Sequence, residues 1–434
     1  MSASSTINLG GDVFMLRIVY PICCGIDVHK KFVVATVGTT NQSGVTEYQT
    51  KQFSTFTEDL LHLRDWLKSQ SCVHVCMEST GKYWHPVFNV LENDCDVVVA
   101  NPKYVKGIRG KKTDVKDSVW LCDLHKHGLV PGSFIPPLEI RQIRDLMRYR
   151  FKLTNFKSSE KNRVQNSLTV SNIMISSVVS DTFGVSSMKI IHHILDNPSD
   201  SDFDVSSMLH GSMKHKAETI EKSIHGNLTK PQADKMRVSL DHMDSIKKHI
   251  DDIESVILKL AQPYWSQVEI ILSLPGIKDK FTAIAILGEI GIDMSVFLSH
   301  KHICSWAGLT PQNNESAGKK KSVRVSRAGV YIKPLLVQCA NAAIKSKDFP
   351  YFKMRYSQIK KRRGHKKAII AIAHKLLICI YHMLDKNEPF NDELYKMDPE
   401  PKPKKTYSPQ ITEDMAIRYL ETLGYQIPDK RVKV

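Results

Sequence analysis

An aspartate stands inside an otherwise apolar, β-branched run, Ile22 to Val28, and no other feature constrains this chain as strongly. A second apolar run, Phe32 to Val37, follows across a short polar turn, so the pair reads as a β-hairpin, with Val45 to Phe53 as a third strand. Leu60, Leu61, Leu63 and Trp66 recur at helical spacing within Glu58 to Lys68. His74 to Met77 is a short apolar strand ending at Glu78. Tyr83 to Glu92 reads as a helix, Val97 to Ala100 as a strand and Thr113 to Lys126 as a helix. Three hairpin strands followed by alternating helices and strands predict an α/β layer fold over residues 21–134. Residues 1–20 are Ser- and Gly-rich and are expected to form a disordered leader, with Met1 and Met15 both open as starts.

Four acids in this region occupy positions where acids do not help folding. Asp27 lies inside the first strand, Glu78 caps a later one, and Asp114 and Asp117 are three apart on one helix face. Each alone has a plain structural use: Asp27 ends a strand, Glu78 enters a helix, and Asp114 and Asp117 complement a helix dipole. Together they carry a mechanism. Carboxylates gathered in one place repel each other unless a divalent cation neutralises them. Magnesium prefers oxygen ligands and keeps part of its water shell. Two such ions about 4 Å apart activate an attacking oxygen and stabilise a leaving one in phosphodiester chemistry. An acid in the first strand of a meander, another at a later strand end and two on a following helix suit a ribonuclease-H-like domain with Mg2+ as its cofactor.

Beyond a linker, Pro131 to Pro137, the chain turns helical. Leu138 to Val170 is basic, with Arg141, Arg144, Arg148, Arg150 and Lys152, whereas residues 171–212 are Ser- and Asp-rich without a clear pattern. Within Gln232 to Leu260, Met243, Ile246, Ile250, Ile253, Ile257 and Leu260 alternate by three and four. That seam fits either a coiled coil between two subunits or an antiparallel helix pair within one chain. The expected organisation is therefore α/β plus all-α: a helical, coiled-coil middle over 135–262, a mostly helical domain over 263–395, and an extension over 396–434 with a short helix near Glu413 to Leu423.

Charge narrows the partners. The formal net charge is +16, and Ser316 to Leu384 alone holds seventeen Lys and Arg against one acid, Asp348. An excess confined to one segment argues for a surface that grips an anionic polymer, nucleic acid ahead of an anionic membrane. The longest apolar run, Ala368 to Leu384, contains His374 and Lys375 and reads as a buried helix rather than a membrane span. The nine cysteines lack paired zinc-ligand spacing and are expected as reduced thiols in a cytosol. No Walker-type phosphate loop is visible, so ATP is not expected to drive the chemistry.

Two stretches of the second half bear on phosphate chemistry. Leu274-Pro275-Gly276-Ile277 precedes the helical run Thr282 to Ile290. Pro-Gly before a helix either offers backbone N–H groups to a phosphate, as in a helix-hairpin-helix element, or is an ordinary turn. Trp306-Ala307-Gly308-Leu309-Thr310-Pro311 leads into Gln312-Asn313-Asn314-Glu315-Ser316-Ala317-Gly318, then Lys319, Lys320 and Lys321, and on to Arg324, Ser326, Arg327, Ala328 and Gly329. By residue type Ser316 is an ordinary loop serine, with Ser322 and Ser326 as local competitors. The cations beyond it suit holding a scissile phosphate and favouring an ionised nucleophile. Lys319, Lys320, Lys321, Arg324 and Arg327, with Gly276 and Lys278, are the candidate nucleic-acid contacts.

Taken in order, Gly25-Ile26-Asp27, Met77-Glu78-Ser79-Thr80-Gly81-Lys82-Tyr83, Asn101-Pro102 and Lys112-Thr113-Asp114-Val115-Lys116-Asp117 resemble the DEDD transposases of bacterial insertion sequences, the IS one-ten and IS eleven-eleven group. The similarity covers roughly residues 22–130 and 265–390. It implies a Holliday-junction-resolvase-like N-terminal domain whose four metal-binding acids map onto Asp27, Glu78, Asp114 and Asp117. It also implies a serine nucleophile after the Gly-Leu-Thr-Pro motif, at Ser316, and a covalent phosphoserine link to DNA. The same resemblance implies a homo-oligomer, dimer or tetramer, guided by a structured bridge RNA and acting at the nucleoid in a bacterial cytoplasm. Two departures stand out: Lys278 replaces a further glycine, and Lys333 and Pro334 stand where the family often has arginines, so phosphate contacts there differ. Two other readings of the residues stay open. A metal-dependent junction-resolving nuclease needs the acids but no serine, and a non-catalytic nucleic-acid-binding protein needs the cations but gives the acids no purpose.

Overall fold

β-Branched alternation in the first 54 residues builds three antiparallel strands: β1 (Ile22–Val28), β2 (Phe32–Thr40) and β3 (Thr46–Ser54). The computed structural model describes residues 16–79, 81–105, 113–197, 203–311, 314–316, 319–322, 324–396 and 413–424. Two compact units divide the chain, residues 1–136 and 137–434. In the first, α1 (Thr57–Ser69), β4 (His74–Glu78), α2 (Trp84–Leu91), β5 (Asp96–Ala100), the short α3 (Pro102–Val105) and α4 (Asp114–Lys126) follow the meander. The mixed sheet has the order β3-β2-β1-β4-β5, with β1, β4 and β5 parallel.

Period-two alternation assigns each sheet face its own helix layer. Ile26, Val28, Val33 and Ala35 pack against Leu60, Leu63 and Leu67 of α1 and Val87 and Leu91 of α2. On the opposite face, Cys76 and Ala100 pack against Leu121 of α4. The leader expected through residue 20 ends earlier. Val19 N and Tyr20 N both donate to the Lys126 carbonyl, at 2.8 and 3.1 Å, and the Tyr20 ring stacks on His125 at 4.8 Å.

The second unit is helical: α5 (Leu138–Val170), α6 (Val185–Asp196), α7 (Val205–Met208), α8 (Ala217–Ile224), α9 (Lys230–Ala261), α10 (Trp265–Leu272), α11 (Lys280–Ile290) and α12 (His300–Trp306). A hairpin of β6 (Asn314–Ser316) and β7 (Lys319–Ser322) precedes α13 (Ile332–Ala343), α14 (Tyr351–Arg363) and α15 (His365–Lys386). The apolar seam of α9 is used within the chain, against an antiparallel α5. Met236, Leu240, Met243, Ile246 and Ile257 are buried there, and Arg150–Glu254 and Glu160–His242 pair across the two helices. Over these residues the heptad pattern serves the intrachain alternative, with Ile250, Ile253 and Leu260 half-buried along it. In residues 171–197 and 203–212 a 3-10 turn and short helices follow α5 and bury Ile190, Ile191, Leu195 and Val205 in a cluster with Val164 and Leu168 of that helix.

The middle and C-terminal segments, expected to be separate domains, belong to one unit because α5 is tied to α11. Arg144 donates to the carbonyls of Gly288 and Glu289, each at 2.8 Å, and Arg148 grips the Glu289 carboxylate through two bonds of 2.7 and 2.8 Å. Among the described residues α15 is the one helix long and apolar enough to cross a membrane, but Ala368, Ile372, Leu376, Leu377 and Ile380 are buried in protein, which makes it a core helix.

One buried group of the first unit links stability to pH. His125 is 2% exposed, its Nε2 has no partner among the described residues, and burial, with His74 adding, pushes its pKa down to about 4. A histidine held neutral in the fold contributes stability that is present above its unfolded pKa of about 6.5 and lost as pH falls through that window. Thermal melts between pH 7 and 4 are expected to show a loss of up to about 3 kcal/mol from this source. His125→Phe should flatten that slope, and an unchanged slope would show that the imidazole does not carry it.

Candidate active site

Gly25 decides where the first unit's acids meet. A Cβ there would lie 2.2 Å from the Ser118 carbonyl oxygen and 2.3 Å from the Cys122 nitrogen, so only glycine lets α4 lie directly on β1. Thr36 on β2 bonds the Ser118 hydroxyl at 2.7 Å, and the buried thiols of Cys23 and Cys122 meet at 3.7 Å. Asp27 lies two residues beyond Gly25, on the same sheet face, and α4 begins at Asp114. Thr113 caps that helix by accepting from Lys116 N.

Asp27 and Asp114 converge on a residue the sequence reading missed. His29 Nε2 is 3.1 Å from Asp27 Oδ2 and 3.3 Å from Asp114 Oδ1. Among the described residues, Asp27, His29 and Asp114 are the one group of three or more His, Cys, Asp or Glu whose ligand atoms share a metal-sized space, all within 4.8 Å. Asp117 lies one turn along α4, near enough for its charge to act on Asp27. Ile26 pairs with Met77 in parallel register, so Asp27 and Glu78 each follow at the same end and on the same face of adjacent strands. Burial pushes the Asp27 carboxyl upward, His29 opposes this, and the charges of Asp114 and Asp117 add to the rise.

The donor set fits a hard divalent cation. Carboxylate oxygens suit magnesium or manganese, and an imidazole beside them is better tolerated by manganese. His29 lies within reach of both carboxylates.

In the second unit Ser316 ends β6 and pairs with Lys319 across the hairpin turn. The base of that hairpin is pinned three ways. Pro311 bridges Val325. Gly308 (φ +67°) and Gly329 (φ +68°) interlock: a Cβ on the first would meet the Ala328 oxygen at 2.5 Å, and on the second the Ala307 oxygen at 2.1 Å. Lys333 Nζ donates to the Ser326 and Ala328 carbonyls at 2.6 and 2.8 Å, so the residue standing in an arginine position holds the loop.

Arg324, Arg327 and Lys278 are exposed. Gly276 packs against α13, where a Cβ would lie 2.6 Å from the Cys339 oxygen. At the N-terminus of α11 the Asp279 side chain accepts from Thr282 N at 2.9 Å, taking one of the N–H groups that a phosphate would use.

Residues 24–173 match a transposase family of the DEDD, IS110 type, and residues 268–357 match the transposase IS116/IS110/IS902 family; together they span more than half of the chain. A pilin gene-inverting protein of Moraxella lacunata is 22% identical over 397 residues, covering 86% of this chain and 98% of that protein. A pilin gene-inverting protein of Moraxella bovis is 22% identical over 377 residues, covering 80% of this chain and 94% of the relative.

Two substitutions test the geometry. Gly25→Ala should force α4 off β1, destabilise the first unit by roughly 1–3 kcal/mol or more in chemical denaturation, and weaken divalent-metal binding. A variant as stable as the parent would show that the contact is slack. Asp27 carries a raised pKa in the fold, so its favourable contribution is present at low pH and lost as pH rises past the unfolded value. Asp27→Asn should therefore raise the metal-free melting temperature at neutral pH and remove the further rise that magnesium or manganese gives the parent. A lowered metal-free melting temperature would refute this reading of Asp27.

Proposed function

The chain belongs to the IS116/IS110/IS902 family of DNA transposases, and on that premise we propose that it cuts and rejoins DNA through a covalent link to Ser316, assisted by carboxylate-bound Mg2+. The observation that carries this reading is the convergence of Asp27 and Asp114, from a strand and a later helix, on one metal-sized space. The order β3-β2-β1-β4-β5, with acids on the middle strands and on α4, supports a ribonuclease-H-like, Holliday-junction-resolvase-like first domain. Asp27, Glu78, Asp114 and Asp117 would hold the cation, which when bound offsets charge on the phosphate under attack.

Ser316 is the proposed nucleophile. Its Oγ attacks phosphorus, the phosphorus bond to one DNA oxygen breaks, and that oxygen departs as a DNA hydroxyl after taking up a proton. The serine ester keeps the phosphodiester linkage, so a hydroxyl from a new partner strand reverses the step and releases Ser316 without ATP. The pairing of Ser316 with Lys319, in a hairpin flanked by the Pro311–Val325 bridge, supports this role, because it sets a serine beside a cation suited to holding a phosphate. Lys319, Lys320, Lys321, Arg324 and Arg327 would hold the strand, with binding that weakens steeply as salt rises. The relatives are named for inverting a gene, an outcome in which every broken strand is rejoined, and this favours conservative cutting and joining here.

The reading extends to a structured bridge RNA as guide, to a homo-oligomer as the working form, and to action on the nucleoid in a bacterial cytoplasm; the family resemblance supports these. Trapping the covalent species tests the core claim. With DNA carrying the element's ends and metal present, the parent should form an adduct stable to denaturation. Ser316→Ala should abolish it, and Asp114→Asn should lower it at least a hundredfold, roughly the loss of one strong electrostatic contact in a transition state. An adduct that survives Ser316→Ala would remove the assignment.

A further inference from the structure

A cavity of 380 Å3 opens between α5, α11 and the start of α13. Its walls carry three rings, Phe151, Phe281 and Tyr331, and two side-chain amides, Asn155 and Gln338. Phe151 and Tyr331 meet edge to face, with centroids 5.9 Å apart at 83°. Two arginines brace the other ring faces: Arg148 lies 4.5 Å over Tyr331, and Arg150 lies 4.6 Å over Phe281.

Those arginines are already neutralised. Arg148 is held by both oxygens of Glu289, and Arg150 by Glu254 at 2.7 Å. The walls therefore have little call for a phosphate. What they offer is flat apolar surface with hydrogen-bonding groups beside it. The amides of Asn155 and Gln338 are exposed, with no partner among the described residues. The hydroxyls of Thr154 and Ser158, two further lining residues, donate to backbone carbonyls of their own helix, which leaves their oxygens as acceptors. A neutral, planar heterocycle with mixed donors and acceptors on its edge matches this lining. Beside it, Lys152 and the 56% exposed Phe156 lie one turn apart on one flank of the same helix, a cation and a ring suited to the strand on that side.

We propose that this cavity receives one unstacked nucleobase of the DNA strand on which the enzyme acts. The proposal rests on the reading of this chain as a DNA recombinase. Tyr331 follows Gly329 by two residues, and Gly329 interlocks with the base of the Ser316 hairpin. A base seated against Tyr331 is thus held by the segment that fixes the hairpin. Extruding a base from a paired duplex is unfavourable, whereas a single-stranded or melted base enters freely and gains stacking on an aromatic face. The cavity therefore selects DNA that is already opened.

Photocrosslinking tests this with the full-length protein. The probe is a short single-stranded oligothymidylate carrying one 5-iododeoxyuridine, which couples to aromatic side chains it stacks on. Mass spectrometry should place the crosslink on peptides containing Phe151 or Tyr331. Phe151→Leu, at a half-exposed position, should keep the parent's melting temperature and reduce both crosslink yield and oligonucleotide affinity by roughly fivefold or more. Should that variant misfold, Gln338→Ala at an exposed position should lower affinity without changing the fold. Ser316→Ala should crosslink like the parent, so loss of the serine assignment would leave this result standing. Crosslinks confined to other peptides, or affinity unchanged in the folded variants, would overturn the proposal. So would coupling of an iodinated oligouridylate in place of the DNA probe, which would assign the cavity to RNA.

Discussion

The contact between the bare Cα of Gly25 and the backbone of α4 is the constraint on which the convergence of Asp27 and Asp114 depends. It brings a helix onto the middle of a sheet where a side chain would hold it away, and the start of that helix delivers Asp114 to Asp27. The Thr36–Ser118 bond and the buried Cys23–Cys122 contact keep the helix in register along the strand. Burial then works against Asp27, whose charge is opposed by desolvation and by two neighbouring acids and relieved by His29. An arrangement that a metal-free fold does not favour, but that a divalent cation would satisfy, is characteristic of a site shaped for function rather than for stability.

The second unit reaches its own precision by a similar device. Gly308 and Gly329 lie in left-handed conformations with each one's missing Cβ facing the other loop's carbonyl, so two loops approach more closely than side chains permit. Lys333 secures the second of these loops by donating to the Ser326 and Ala328 carbonyls. The hairpin bearing Ser316 rises from that junction, and the helix that follows begins at the aromatic cavity. Further back, the Arg144 and Arg148 bonds to α11 fasten this region to the long α5–α9 pair, giving the hairpin a stiff foundation.

Much of this was legible in the residues. The strands of the first unit and α4 and α5 follow from apolar alternation and spacing; Asp27 and Glu78 stood out because they interrupt or end an apolar strand, and Asp114 and Asp117 because they share one helix face. His29 did not stand out: a histidine in a turn carries no periodic signal, and its one clue was its place two residues after Asp27. The α9 seam was ambiguous for a physical reason, since three-and-four spacing is the same whether the partner helix belongs to the same chain or another. The short helices over residues 171–212 were hidden because each buries only a few apolar residues between Ser- and Asp-rich connections. Ser316 was legible only through its motif, since nothing in a polar loop marks one serine as a nucleophile.

Anomalous scattering from manganese-soaked crystals tests the central claim most directly. The account predicts a manganese peak between the carboxylates of Asp27 and Asp114, with the His29 ring either turned away or bound to the ion through nitrogen. Crystals at neutral pH and saturating manganese that show no peak there, with His29 still bonded to both carboxylates, would contradict it.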